Sequence, residues 1–123
     1  ALERALATST TPNAFLFLHH PPMTMDAAVL DSTGLVDGPQ LCEMLSRHPR
    51  VHGVCWGHAH QALDIYTRND VRLMCTPATS MQFKPRMTFV PDDRPPGYRV
   101  IDLQADGAIA TEVLWLEGYR DPD

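Results

Sequence analysis

The sequence has little of what marks the specialised protein classes. Its three cysteines, Cys42, Cys55 and Cys75, are odd in number and fall in or beside expected regular elements. Secreted disulfide scaffolds use dense, even sets, so we read these three as reduced thiols. No apolar run approaches the roughly 20 residues that span a bilayer. No basic-headed apolar leader opens the chain either; the expected setting is cytoplasmic, with no membrane partner. Basic residues are in deficit, ten Lys and Arg against fifteen Asp and Glu, for a formal charge of -5. That is the wrong sign for a surface that neutralises many phosphates, and no nucleic-acid partner is expected. Repeats and low-complexity tracts are also lacking.

What is present describes a single folded unit, residues 1–123, with 44% hydrophobic and 20% charged residues, near the commonest domain size. Residues 1–7 carry helical apolar spacing at Leu2, Ala5 and Leu6, with no N-cap residue and no initiator Met ahead of them. The chain is therefore expected to be the C-terminal part of a longer protein, or to have a processed N-terminus.

Residues 14–18, Ala-Phe-Leu-Phe-Leu, are apolar without alternation, the pattern of a strand buried on both faces. The run stops at His19-His20-Pro21-Pro22, where two prolines forbid further ladder pairing. Residues 23–36 have no clear period and are expected to form a loop or flap. Asp37-Gly38-Pro39 opens a helix whose apolar stripe is Leu41, Cys42, Met44 and Leu45, ending near His48-Pro49. Residues 50–56 give a second short strand that stops at Gly57-His58-Ala59-His60. Strand, helix and strand make one βαβ unit, which places both histidine groups at the C-terminal ends of neighbouring parallel strands, where open α/β sheets hold their sites. Antiparallel hairpins follow: residues 63–66 with 71–75, then 98–103 with 108–116 around Ala105-Asp106-Gly107. The stretch 76–96, broken by five prolines, is expected to be irregular. The fold class is α/β with α+β character.

Imidazole is the commonest protein ligand for divalent transition metals. In an extended strand, residues two apart share a face, so His58 and His60 are expected to point into one site with small Ala59 turned away. His48 and His52, beside a helix-to-strand turn, read as solvated. A phosphodiester hydrolase generally needs two cations bridged by carboxylate. The carboxylates Asp26, Asp31, Asp37 and Asp64 lack ligand-like placement and read as surface or cap residues.

Several stretches together resemble a known family. They are Leu18-His19-His20-Pro21-Pro22, Gly57-His58-Ala59-His60-Gln61, the run from Thr76-Pro77 through Thr79 to Gln82-Phe83-Lys84-Pro85, Pro96-Gly97-Tyr98-Arg99 and Asp106-Gly107. The pattern resembles the C-terminal half of bacterial class III cyclic AMP phosphodiesterases, members of the calcineurin-like metallophosphoesterases, over residues 1–118. The resemblance implies the C-terminal part of a two-sheet sandwich. It implies a dinuclear centre of Mn, Fe or Zn, with His19 and His58 on one cation and His60 on the other. His20, the alternative to His19, would lie on the substrate side, and Thr76 and Thr79 would line the substrate pocket. The family's Asp-x-His, Gly-Asp-x-x-Asp and Gly-Asn-His motifs are absent from these residues. The chain alone is thus expected to hold its metals partially, to contain no complete catalytic residue set, and to be weak or inactive. In the full-length protein the resemblance implies hydrolysis of 3',5'-cyclic AMP to 5'-AMP, the partner being a cyclic nucleotide or other phosphodiester substrate. Two alternatives are a non-catalytic metal-binding or assembly domain and another phosphoesterase of the superfamily, acting on glycerophosphodiesters or phosphomonoesters. With part of the sandwich missing, apolar faces of residues 14–18 or 51–56 would be exposed and a homo-oligomer is expected.

Overall fold

Residues 14–18 form strand β1 (Ala14–Leu18) in the computed structural model, which describes residues 1–85 and 90–119. Helix α1 (Leu2–Thr8) precedes it, and the crossover that follows contains a short α2 (Ala28–Asp31) and the longer α3 (Gly38–Ser46) before β2 (Val51–Trp56). The hairpin β3 (Leu63–Tyr66) and β4 (Arg72–Cys75) completes a four-stranded sheet of order β1-β2-β4-β3. Strands β1, β2 and β4 are mutually parallel, and β3 runs antiparallel at the far edge. The expected βαβ unit and both hairpins are thus present. Two departures lie in stretches expected to be irregular. A helical turn interrupts residues 23–36, and β5 (Gln82–Phe83) pairs with β6 (Pro91–Asp92) within 76–96. Residues 86–89 of that stretch lie outside the described residues.

The register decides where the chemistry sits. Leu18 pairs with Trp56 and Trp56 with Cys75, so all three parallel strands end on one line. His19, Gly57 and Thr76 therefore leave the sheet side by side.

One face of the sheet buries Val54, Trp56, Leu73 and Cys75 against Leu6 of α1, Leu30 of α2, and Met44 and Leu45 of α3. The helix start at α3 is placed by the absence of a side chain. A Cβ on Gly38 would stand 2.3 Å from the Pro22 carbonyl oxygen, so only glycine lets α3 close against the turn that follows the histidine pair. Arg50 ties α1 down by donating to the carbonyls of Leu6, Ser9 and Thr11.

The other face receives the hairpin of β7 (Gly97–Leu103) and β8 (Ile109–Trp115). Its turn carries Gly107 at φ 90, a left-handed conformation open to glycine. Burial of β1 on both faces is corrected here. β1 is the sheet's edge strand, and while Leu16 and Leu18 pack toward the helices, Phe17 is 67% exposed. The expected exposure of residues 51–56 is corrected as well, since β2 lies inside the sheet and Val51, Val54, Cys55 and Trp56 are buried.

Two further side chains, His52 and Asp31, depart from a solvated reading, and a third, Asp64, is exposed yet paired. His52 Nε2 lies 2.8 Å from Asn13 Oδ1, half-buried beneath the Gly107 turn. Asp31 accepts the backbone N–H groups of Met25 at 2.6 Å and Ala27 at 3.2 Å, bracing the crossover. Asp64 accepts from Arg72 Nε at 2.8 Å and Nη2 at 2.7 Å and lies 3.4 Å from Arg99 Nη1. His52 and Asp31 are thereby half-buried, while Asp64 stays exposed at the sheet edge. The three cysteines are free thiols, and burial pushes Cys75 up to about 12. Among the described residues no helix is long and apolar enough to cross a membrane.

Candidate metal centre

The two histidine-bearing turns leave adjacent parallel strands in register, and proline and backbone geometry then fold them toward each other. Pro21 and Pro22 end β1 after two residues, and His58 takes a left-handed conformation, φ 60, directly after Gly57. The result is a cluster of His19, His20 and His58, each offering a ring nitrogen, with those nitrogens all within 4.8 Å of one another. His58 Nδ1 faces His19 Nε2 at 3.3 Å. Ring centroids are 4.7 Å apart for His19 and His20 and 4.5 Å for His20 and His58.

A cation fits this arrangement. Two imidazole nitrogens bound tetrahedrally to one ion at 2.0–2.1 Å would stand about 3.4 Å apart, close to the observed separation. Burial holds the His58 imidazolium below its ordinary range, and the neighbouring His20, His19 and His60 act in the same direction. A neutral ring, the form that ligates metal, is thereby favoured.

His60 does not join the cluster. The expectation that it shares a face with His58 presumed extended backbone, but both residues are left-handed, His60 at φ 52, so the chain turns between them. Its Nδ1 instead donates to the Met81 carbonyl at 2.8 Å, and its ring stacks on Phe83 with centroids 5.1 Å apart. Because a carbonyl can only accept, His60 carries a hydrogen on Nδ1, and its neutral form keeps the lone pair on Nε2. His20, placed by resemblance on the substrate side, lies within the cluster.

Thr76 leaves β4 beside Gly57, its N–H donating to the Trp56 carbonyl at 2.9 Å, and Thr79 is exposed on the loop that follows. That loop owes its order to Gln82, which is fully buried. Gln82 Oε1 accepts from Ala78 N at 2.9 Å, and Nε2 faces the carbonyls of Ala78 at 2.7 Å, Ser80 at 2.9 Å and Pro95 at 3.3 Å. Sequence reasoning gave Gln82 no role; its isolation in a proline-broken, otherwise loop-like run was the available signal. Thr33 was missed as well. Its hydroxyl lies 2.8 Å from His58 Nε2, in a stretch with no periodicity to single it out. Among the described residues no carboxylate enters the cluster, and Asp31 and Asp64 are committed to the contacts given above.

No known protein-family profile matches the chain. Curated relatives do. The 3',5'-cyclic adenosine monophosphate phosphodiesterase CpdA of Escherichia coli K12 is 40% identical over 124 aligned residues, covering 99% of this chain and 45% of that protein. The Vibrio vulnificus protein of the same name is 37% identical over 94% of this chain and 42% of its own length. A probable cyclic nucleotide phosphodiesterase of a Synechococcus strain is 35% identical over the same shares. The chain spans a little under half the length of these relatives. Over almost all of its own residues, then, the chain is similar to one part of bacterial proteins named as cyclic AMP phosphodiesterases.

Proposed function

We propose that the complete protein is a metal-dependent phosphodiester hydrolase that opens 3',5'-cyclic AMP to 5'-AMP. The convergence of His19, His20 and His58 at the ends of parallel strands carries this reading. The substrate follows from the names of relatives up to 40% identical. His19 and His58 would hold one divalent cation, with His20 beside them. His60, whose free Nε2 is fixed by its bond to Met81, would serve a second. Mn, Fe and Zn all suit such imidazole ligation. Bound divalent ions supply positive charge for the phosphoryl oxygens and acidify the attacking water.

The chain's own residues contribute binding and orientation. Thr76, which leaves β4 beside Gly57, and Thr79, exposed on the loop that follows, would offer their hydroxyls to substrate. The Gln82 bonds hold their loop in one shape, so that orientation of the phosphodiester does not have to be gained during turnover.

The test is release of 5'-AMP from 3',5'-cyclic AMP by the complete protein. Chelation should abolish it and added Mn2+ should restore it. The 123-residue chain alone should show weak hydrolysis or none. Turnover indifferent to chelator would contradict the reading, and a preference for a glycerophosphodiester or a phosphomonoester would move the substrate.

A further inference from the structure

We propose that Thr33 is a positioning residue that fixes the tautomer of His58 and so presents that ring's Nδ1 lone pair to a cation. The inference rests on the metal-site reading above. It begins with a proton count. Thr33 Oγ1 lies 2.8 Å from the Leu30 carbonyl oxygen and 2.8 Å from His58 Nε2. The hydroxyl has one hydrogen. Two oxygens at that separation without a shared hydrogen repel, and the Leu30 carbonyl can only accept, so the hydroxyl donates to Leu30. Its lone pair then faces His58 Nε2, which must carry the hydrogen. A neutral His58 is left with its free electron pair on Nδ1, the atom that faces His19 Nε2 at 3.3 Å.

Thr33 is held to this task from several directions. Its own N–H also reaches the Leu30 carbonyl, at 3.1 Å, and the Leu35 N–H donates to Pro21 at 2.9 Å. The crossover segment is thus fastened to the turn that carries His19 and His20, while its threonine side chain reaches the other turn. Metal-bound histidines generally donate their second ring hydrogen to such an outer oxygen. In His60 that oxygen is the Met81 carbonyl, and the free atom is Nε2. The two rings are therefore held in opposite tautomers by different partners.

Two variants separate a tautomer role from a merely structural one: Thr33→Val, which keeps the shape and loses the hydroxyl, and Thr33→Ser, which keeps the hydroxyl. Imidazole 15N spectra of the metal-free chain should show the hydrogen on Nε2 of His58 in the wild type and Thr33→Ser, and a tautomer mixture in Thr33→Val. Zinc titration by calorimetry should give an affinity about 10–100-fold weaker for Thr33→Val, the range found for outer-shell partners, with recovery in Thr33→Ser. A wild-type ring protonated on Nδ1, or a valine variant unchanged in both readouts while the wild type binds zinc, overturns the role of Thr33 alone. A wild type that takes no zinc sinks the cation reading itself, and with it the presentation of Nδ1, whatever the spectra show.

Discussion

Arg99→Ala is expected to lose about 3 kcal/mol of folding stability, roughly 12 °C in melting temperature for a domain of this size. Arg99 belongs to β7, yet its side chain is only 4% exposed and its guanidinium crosses to the sheet. Nη2 donates to the Leu63 carbonyl at 2.9 Å and the Cys75 carbonyl at 3.1 Å, and Nη1 to Thr111 Oγ1 at 3.2 Å and Asp64 Oδ2 at 3.4 Å. Removal strands two backbone carbonyls and takes from Asp64 the more distant of its two cations, and an unsatisfied buried acceptor costs about 1–3 kcal/mol. Arg72 stays on Asp64, which keeps the loss below that of a fully orphaned charge. Arg99→Lys should recover less than half, because one ammonium cannot serve a forked set of acceptors. Thermal and urea denaturation check both; a melting shift under about 3 °C would show that hairpin and sheet are joined some other way.

The same network sets an acid limit. The Arg72 hydrogen bond, with the charges of Arg72 and Arg99, outweighs burial and holds the Asp64 carboxyl below its ordinary range. A carboxylate depressed in the folded state contributes stability that is fully present above its unfolded value, near about 3.9. That contribution disappears as pH falls through the lower folded value. Asp64→Asn should accordingly be less stable at neutral pH and show a flatter decline below about pH 4.

The second large effect is on ligation. His58→Ala should weaken zinc binding by at least about 100-fold, beyond what an outer partner contributes. His58 is the cluster member that comes from the β2 turn, and its Nδ1 faces His19 Nε2 at 3.3 Å. His48→Ala, at the helix-to-strand turn outside the cluster, should change nothing. Calorimetric titration of both variants decides it, and equal losses would mean that zinc is held nonspecifically by surface imidazoles.

How much of this was legible in the letters depends on how local each cause is. The histidine groups could be placed because apolar runs, prolines and a glycine mark where strands stop, and strand ends of a βαβ unit share one edge of the sheet. His60 could not, because the same-face rule holds for extended backbone and nothing in Gly57-His58-Ala59-His60 announces two left-handed residues. Burial of β1 was overestimated because an apolar run does not say which strand lies at the edge. Asp64 was within reach. It stands opposite Met74 in a recognised hairpin, one diagonal step from Arg72, and opposite charges on paired strands commonly meet. Arg99, Gln82 and Thr33 owe their roles to partners far along the chain, or to one hydroxyl hydrogen, and neither leaves a periodic trace.

The left-handed backbone at His58 and His60 sets two selections against each other. Glycine would sit there with less strain than any residue carrying a Cβ, the penalty for which is on the order of 1 kcal/mol per position. A laboratory evolution scheme that rewards heat tolerance without rewarding ligation would therefore drift away from imidazole at these two sites. Thermostabilised descendants should be engineered with positions 58 and 60 locked.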